Sequence, residues 1–205
     1  MKKVAVVFAS VIVMSAQTFA GGMLGFGVQA TGATLNVPDP FKSIYGFGYG
    51  GGAHLDINLP ILFSIRVAAD YTTYSPDNDK YKGVLAVNVP GSIASAFEID
   101  GGRINIFSVS ANGKLSLLPT PIVSPYVTAG VGIGSISSSD LTVKYQGQNL
   151  PTPPSPGAET STAVNFGAGI DLSLFVTLYL EAKYTIIFTQ GGSSSFVPVS
   201  LGITF

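Results

Sequence analysis

Charge is scarce in this chain. Asp, Glu, Lys and Arg make up 10% of its 205 residues, against roughly 25% in an ordinary soluble domain. Cysteine is absent and His54 is the only histidine. A disulfide scaffold is therefore excluded, and so is a thiolate metal site. Ten basic against eleven acidic residues give a formal net charge of −1, with no basic stripe of the kind that binds nucleic acid. No metal or other cofactor is expected. Long apolar runs are also missing. Beyond residue 20 each run is broken within a few residues by Gly, Ser, Asn, Asp or Pro, short of the ~20 that a transmembrane helix needs.

Apolar residues nevertheless reach 46%, beside 25 Gly and 13 Pro, and the mean hydropathy is +0.46. The one unbroken apolar stretch opens the chain: M-K-K-V-A-V-V-F-A-S-V-I-V-M-S-A-Q-T-F-A. Lys2 and Lys3 form a basic start, Val4–Val13 an apolar middle, and Thr18-Phe19-Ala20 a small-x-small site. This order predicts a secretory signal peptide over residues 1–20, leaving one domain over 21–205.

From Gly21 onward the dominant period is two. Apolar residues alternate with small or polar ones through Leu24–Ala30, Tyr45–Leu59, Ile61–Tyr71, Asn105–Leu115, Val127–Ile133, Val164–Leu172, Val176–Phe188 and Val197–Phe205. Each segment predicts a strand with two chemically different faces. Ile104 and Ile106 break the alternation. Tight turns are predicted at Leu59-Pro60, Leu117–Ser124 and Leu174-Phe175. Longer loops are predicted at Gly32–Ile44, Ser75–Arg103, Ser137–Thr162 and Gln190–Ser195. Short turns on one side and long loops on the other are the habit of transmembrane β-barrels. The fold class expected is all-β, an eight-stranded antiparallel up-and-down barrel.

Volume and charge decide which face points inward. The small face carries Gly25, Gly27, Gly46, Gly48, Gly50, Gly52, Gly130, Gly132, Gly134, Gly167 and Gly169. Small residues suit the cramped inside of a barrel of about eight strands. Seven charges fall within strands: Asp56, Arg66, Asp70, Lys114, Asp171, Glu181 and Lys183. All share the parity of the glycine face. A charge facing lipid at the midplane costs roughly 2–4 kcal/mol, so the apolar face is expected to meet lipid. Inside, three cations among four anions are placed to pair with one another. Together with His54 they are the candidate lumen network, a plug rather than a pore lining, since aqueous pores take more strands. Tyr45, Phe47, Tyr71, Phe107, Tyr184 and Phe188 are expected as a loop-side aromatic girdle, with Phe63 and Phe205 on the turn side.

On these residues the chain resembles the eight-stranded outer-membrane-protein β-barrel family of Gram-negative bacteria, the OmpA/OmpX-like group. The likeness is carried by P-Y-V-T-A-G-V-G-I-G (Pro125–Gly134), L-Y-L-E-A-K-Y-T (Leu178–Thr185) and the terminal strand ending in Phe205. The resemblance implies contact with outer-membrane lipid and lipopolysaccharide, both termini in the periplasm, and a monomer. It implies that Val199, Leu201, Ile203 and Phe205 form the signal read by the barrel-assembly machinery. The chain departs from the larger OmpA architecture in that nothing follows the eighth strand, so no periplasmic peptidoglycan-binding domain is expected.

Three functions stay open on the sequence. The first is a non-enzymatic structural or surface-interaction role through loops 32–44, 75–103 and 137–162, which would hold any extracellular ligand. The second is a narrow OmpW-like channel for small or hydrophobic solutes. The third is a lipid A-modifying enzyme using His54. G-F-G-Y-G-G (Gly46–Gly51) fits G-x-G-x-x-G, but no helix pattern follows to make it a dinucleotide site. Pro151–Pro156 predicts an extended, mobile polyproline-type spacer. Pro198 withholds an N–H, so a bulge or broken pair is expected beside it.

Overall fold

Alternating sequence with bulky apolar residues on one parity can bury neither face alone, and here the strands solve this by closing on themselves. The computed structural model describes residues 23–36, 44–59, 62–86, 97–118, 120–152, 154–155, 157–189 and 192–205. The predicted signal peptide lies outside them, as does most of the turn at Leu59-Pro60. Eleven strands follow in chain order: β1 (Leu24–Asn36), β2 (Phe47–Asn58), β3 (Phe63–Tyr74), β4 (Phe97–Gly101), β5 (Ile104–Ser116), β6 (Val123–Ser138), β7 (Leu141–Tyr145), β8 (Gln148–Leu150), β9 (Glu159–Ser173), β10 (Thr177–Thr189) and β11 (Gly192–Thr204). Among the described residues one helix, α1 (Asn78–Ala86), lies between β3 and β4.

Eight of the strands form a closed barrel in the order β1-β11-β10-β9-β6-β5-β3-β2, every pair antiparallel. The last residue completes the closure. Phe205 N donates to Phe26 O at 2.8 Å and Phe26 N to Phe205 O at 3.2 Å. The closed ring leaves no edge for another chain to extend.

Over most of its height the wall is inside-out. Outward residues such as Phe63, Leu115, Val131, Phe166, Ile170, Leu180 and Leu201 are 42–63% exposed, while the intervening Arg66, Lys114, Asp171 and Glu181 are 3–9% exposed. So large an apolar exterior needs an apolar solvent. From Phe63 to Tyr71 the wall rises eight residues, about 20 Å at ~3.3 Å per residue and a tilt near 40°.

At the loop end the amphipathicity inverts. Thr34, Asn36, Thr73, Asn105 and Ser195 point outward on the parity that lower down holds Val, Leu and Phe. Ala33, Leu35, Tyr74, Ile106, Ala163, Ile187 and Phe196 point inward and are at most 8% exposed. This upper ring is built as a soluble barrel is, with an apolar core, and the change of parity marks where lipid gives way to water. Ile104 and Ile106, irregular in the sequence, belong to this core: Ile106 is 3% exposed and Ile104 packs against it. Tyr45 departs from its expected place in the girdle. It packs on the same core and donates its hydroxyl to Gly102 O at 2.7 Å. Phe47, Tyr71, Phe107 and Phe188 do stand outward, 48–65% exposed.

The long loops carry more structure than their polarity suggested. The β5–β6 register, Ile104↔Ser138, continues unbroken into β4–β7, Gly101↔Leu141, through Ser139 N→Arg103 O (2.9 Å) and Gly102 N→Asp140 O (3.2 Å). One two-stranded ladder thus leaves the barrel and runs on above it as an arm. It bends at Gly101 and Gly102, whose φ of +84° and +67° suit glycine. β8 adds a third strand through a two-residue turn at Gln146 (φ +50°) and Gly147 (φ +79°), the type I′ geometry that matches strand twist. Helix α1 is capped by Asp77, whose Oδ1 accepts from Asp79 N (3.1 Å) and Lys80 N (3.3 Å). The Lys80 amide, foremost, holds that carboxyl below its usual range.

Loop boundaries move. β6 runs on to Ser138 and β9 begins at Glu159, inside the loop expected over Ser137–Thr162. β1 runs on to Asn36, so the loop expected from Gly32 begins after it. Of the loop expected at Gln190–Ser195, Gly192–Ser195 are strand, paired with β10, and Gln190 and Gly191 lie outside the described residues; polar residues serve well in strands above the lipid. Around Pro151–Pro156 the described residues hold no regular structure. Beside Pro198 the β10–β11 ladder skips two pairs, from Ala182↔Val199 to Thr185↔Phe196, without change of register. The missing N–H breaks pairs and makes no bulge, while Ala33↔Pro198 on the other side is intact.

Candidate functional site

The turn-side half of the lumen is filled by ion pairs seated among aromatic rings. Arg66 on β3 donates Nε and Nη2 to the two carboxylate oxygens of Asp56 on β2, both at 2.7 Å. Such a two-point pair fixes geometry as well as charge. Arg66 Nη1 lies 3.9 Å from Glu181 on β10, which Lys183 also approaches at 3.1 Å and to which Tyr126 donates its hydroxyl at 3.0 Å. Lys114 on β5 meets Asp171 on β9 at 2.6 Å. Two cations are stacked on rings, Arg66 at 4.2 Å from the Tyr179 centroid and Lys114 Nζ at 4.0 Å from that of Tyr126. Those contacts supply attraction where water is excluded.

His54 belongs to this half. It is 2% exposed, with Nδ1 2.7 Å from Gln29 Oε1 and Nε2 2.8 Å from Thr204 Oγ1. Gln29 donates its amide to Asp70 at 2.6 Å, which leaves Oε1 as the acceptor. Nδ1 of His54 therefore carries the proton, and Nε2 accepts from the Thr204 hydroxyl. A neutral imidazole satisfies both contacts, and no carboxylate touches the ring. Tyr179 completes the cluster, donating to Gln29 Oε1 at 3.0 Å.

The glycine face has a sharper purpose than saving volume. Tyr179 pairs across the ladder with Gly202, Tyr126 with Gly169, and His54 with Gly27. In each case a Cβ on the glycine would collide with the ring: with Tyr179 at Gly202, Tyr126 at Gly169 and His54 at Gly27. Each large lumen ring lies flat on a bare stretch of the neighbouring strand, so rings and charges fit where two side chains could not.

Above this network lies a cavity of about 30 Å³, then the apolar core, then an open vestibule of about 290 Å³ floored by Ile104 and Ile136. Asp70 and Lys183 also line the cavity. The structure thus gathers His54, Asp56, Arg66, Lys114, Asp171, Glu181 and Lys183 in one network and joins Asp70 to it through the amide of Gln29. Val199, Leu201, Ile203 and Phe205 lie on the lipid-facing side of β11, between β1 and β10. The sequence reading passed over Gln29 and Tyr179, which hold His54. It also passed over the apolar core, for which Ala33, Leu35 and Ile187 on the inner parity were the available signal. Among the described residues no group of three or more His, Asp or Glu could hold a metal ion.

A closed antiparallel barrel, apolar toward lipid and charged within, defines an integral outer-membrane β-barrel. The outer membrane protein beta-barrel domain family matches residues 4–205, and the chain belongs to it. Neisserial surface protein A shares the fold with a TM-score of 0.56 at 14% identity, over 89% of this chain and 96% of that one. The N-terminal barrel of Pseudomonas aeruginosa OprF gives 0.47 at 17% identity, over 88% and 97%. Ail, the attachment invasion locus protein of Yersinia pestis, gives 0.48 at 14%, over 89% and 97%. No curated protein sequence matches the chain.

Proposed function

We propose that this protein is a non-enzymatic, closed outer-membrane barrel whose work is done by what it holds above the membrane. The observation that carries this reading is the β4–β7 arm, continuous in register with β5–β6 beyond the barrel's own strands. A rigid barrel that extends one ladder past its rim is a mount for a binding surface, since function in such folds sits in loops positioned by a scaffold. On this reading α1, the arm and β8 meet the extracellular partner, both termini lie in the periplasm, and the lipid face contacts lipopolysaccharide. The outward Val199, Leu201, Ile203 and Phe205 serve as the assembly signal.

A second reading, a narrow gated channel, is favoured by one feature: the lumen holds a 30 Å³ cavity and, nearer the loops, a 290 Å³ vestibule. Catalysis at His54 finds no support in its surroundings. The ring is buried against Gln29, Thr204 and Tyr179.

The test excises residues 97–101 together with 141–150, joining the stubs by short Gly-Ser turns. Heat-dependent gel mobility reports that the barrel still folds. Cells carrying the full chain should adhere to one another or to extracellular matrix, and cells carrying the shortened chain should lose this. Unchanged adhesion, with sugar uptake into vesicles that requires the intact chain, would reject the display role in favour of the channel.

A further inference from the structure

The wall ends differently at its two rims. Toward the loops the outward files of residues turn polar, at Asn105 on β5 and at Thr162 on β9. Below them every second residue is apolar or Gly, from Phe107 to Leu117 and from Val164 to Leu174. Each file drops ten residues, about 25 Å at ~3.3 Å per residue and a tilt near 40°. That is the height of the apolar band of an outer-membrane barrel, about 25 Å. Leu117 and Leu174 lie past the ends of β5 and β9, so the band reaches the turns themselves. No polar residue closes either file there.

The turns are apolar to match. Leu117, Leu118, Ile122, Leu174 and Phe175 are 54–95% exposed, and Ser173 N→Ile122 O at 2.8 Å ties the β5–β6 and β9–β10 turns side by side. Residues 115–124 and 172–177 hold no charged side chain, whereas Asp77, Asp79, Lys80, Glu98, Asp100 and Arg103 stand at the loop end. Prolines and internal bonds also reduce the free donors of the β5–β6 turn. Pro119 and Pro121 have no N–H. Leu117 N donates to Pro125 O at 2.8 Å, Thr120 N to Leu118 O at 2.9 Å and Val123 N to Thr120 Oγ1 at 3.0 Å. The Ser124 hydroxyl is spent on Thr120 O at 3.1 Å. Internal satisfaction of this kind is what hydrocarbon demands of a backbone.

We propose that these two turns form a leaflet anchor: Leu117, Leu118, Ile122, Leu174 and Phe175 insert among the acyl chains of phospholipid instead of standing in water. Continuity decides the occupant. The outward files arrive from the lipid-facing wall without a polar break, so the chains that cover Leu115 and Ile170 are next to Leu117 and Leu174. An exposed apolar patch of this kind marks an interaction site, and here its neighbour is already lipid. The anchor sets the depth of the barrel and keeps the charged loop end above the opposite surface. That the leaflet is the periplasmic one rests on the placement of the termini proposed above. The insertion itself does not, and it holds whether the barrel carries an adhesive arm or conducts.

The chain has no tryptophan, so Phe175→Trp and Leu118→Trp each place a single reporter on the anchor, and Ser193→Trp places one at the loop end. Each full chain is refolded into vesicles of phosphatidylethanolamine and phosphatidylglycerol, with folding read by heat-dependent mobility. Emission of Phe175→Trp and Leu118→Trp should fall several-fold when the acyl chains carry bromine, and hardly at all with iodide on both sides of the membrane. Ser193→Trp should show the reverse. Iodide quenching of the two anchor variants equal to that of Ser193→Trp would overturn the proposal by placing the turns in water. Shielding from both quenchers would overturn it as well, because protein then covers the turns, a second copy if excess lipid abolishes the shielding. Bromine lies in both leaflets, so insertion is read whichever way the barrel faces. The two positions report separately, so if one variant misfolds the other decides.

Discussion

The two halves of the lumen exclude water with opposite materials. On the turn side Arg66, Lys114, Lys183 and their carboxylates are interlocked with Tyr126, Tyr179 and His54. On the loop side Ala33, Leu35, Tyr74, Ile106, Ile187 and Phe196 form an ordinary apolar core. The surroundings differ in the same way. The charged half sits behind an apolar wall, the apolar half behind a mixed one in which Thr34, Asn36, Thr73, Asn105 and Ser195 stand among Phe47, Phe107 and Phe188. Polar residues thus move outward where apolar ones move in. A buried ion-pair network is held by mutual dependence, so losing one partner strands another. An apolar core degrades in proportion to what is removed.

That contrast can be broken from either end. Arg66→Met should have the largest effect, about 3–5 kcal/mol in urea unfolding from vesicles, because Asp56 is left buried without its cation. The double change Lys114→Met with Asp171→Leu should be near neutral or stabilising, since a whole pair is removed. Phe196→Ala in the apolar core should cost about 3–5 kcal/mol at the upper limit, less if the ring of neighbours collapses into the space; its effect should not depend on salt or pH, whereas that of Arg66→Met should. Gly202→Ala should cost about 1–3 kcal/mol by pushing the Tyr179 ring off its seat, with the Arg66 stacking lost at the same time. Tyr74→Phe is the smallest change and of opposite sign. The Tyr74 hydroxyl is buried without a partner, so removing it should leave stability unchanged or raise it by about 1 kcal/mol. A loss above that would mean the hydroxyl has a partner in the membrane-bound protein.

The same exchange of faces governs what could be read from the sequence. Where lipid surrounds the wall, period two is clean, because apolar and small or charged residues differ sharply. Leu178, Leu180 and Ala182 against Tyr179, Glu181 and Lys183 reveal both strand and orientation. At the loop end the parity inverts over a few residues. Ile186 faces out and Ile187 in, so a local reading finds apolar residues on both faces and no period. Leu35 and Phe196 were legible as apolar but not as core, since that requires knowing that the wall around them had already left the membrane. The rings escaped for another reason. Tyr179 follows the parity of the charges, yet its seat is Gly202, a residue 23 positions away, and only the register brings them together. Pro198 shows the reverse, a local rule that predicted a long-range break correctly.

Closure of the lumen by both layers is the central claim, and current across a planar bilayer tests it most directly. The wild-type protein, inserted and verified as folded by its heat-dependent mobility, should give no stepwise conductance, while Phe196→Ser combined with Arg66→Ala should introduce it. Reproducible steps in the wild-type protein that persist across preparations would contradict a closed barrel and return the chain to the channel reading.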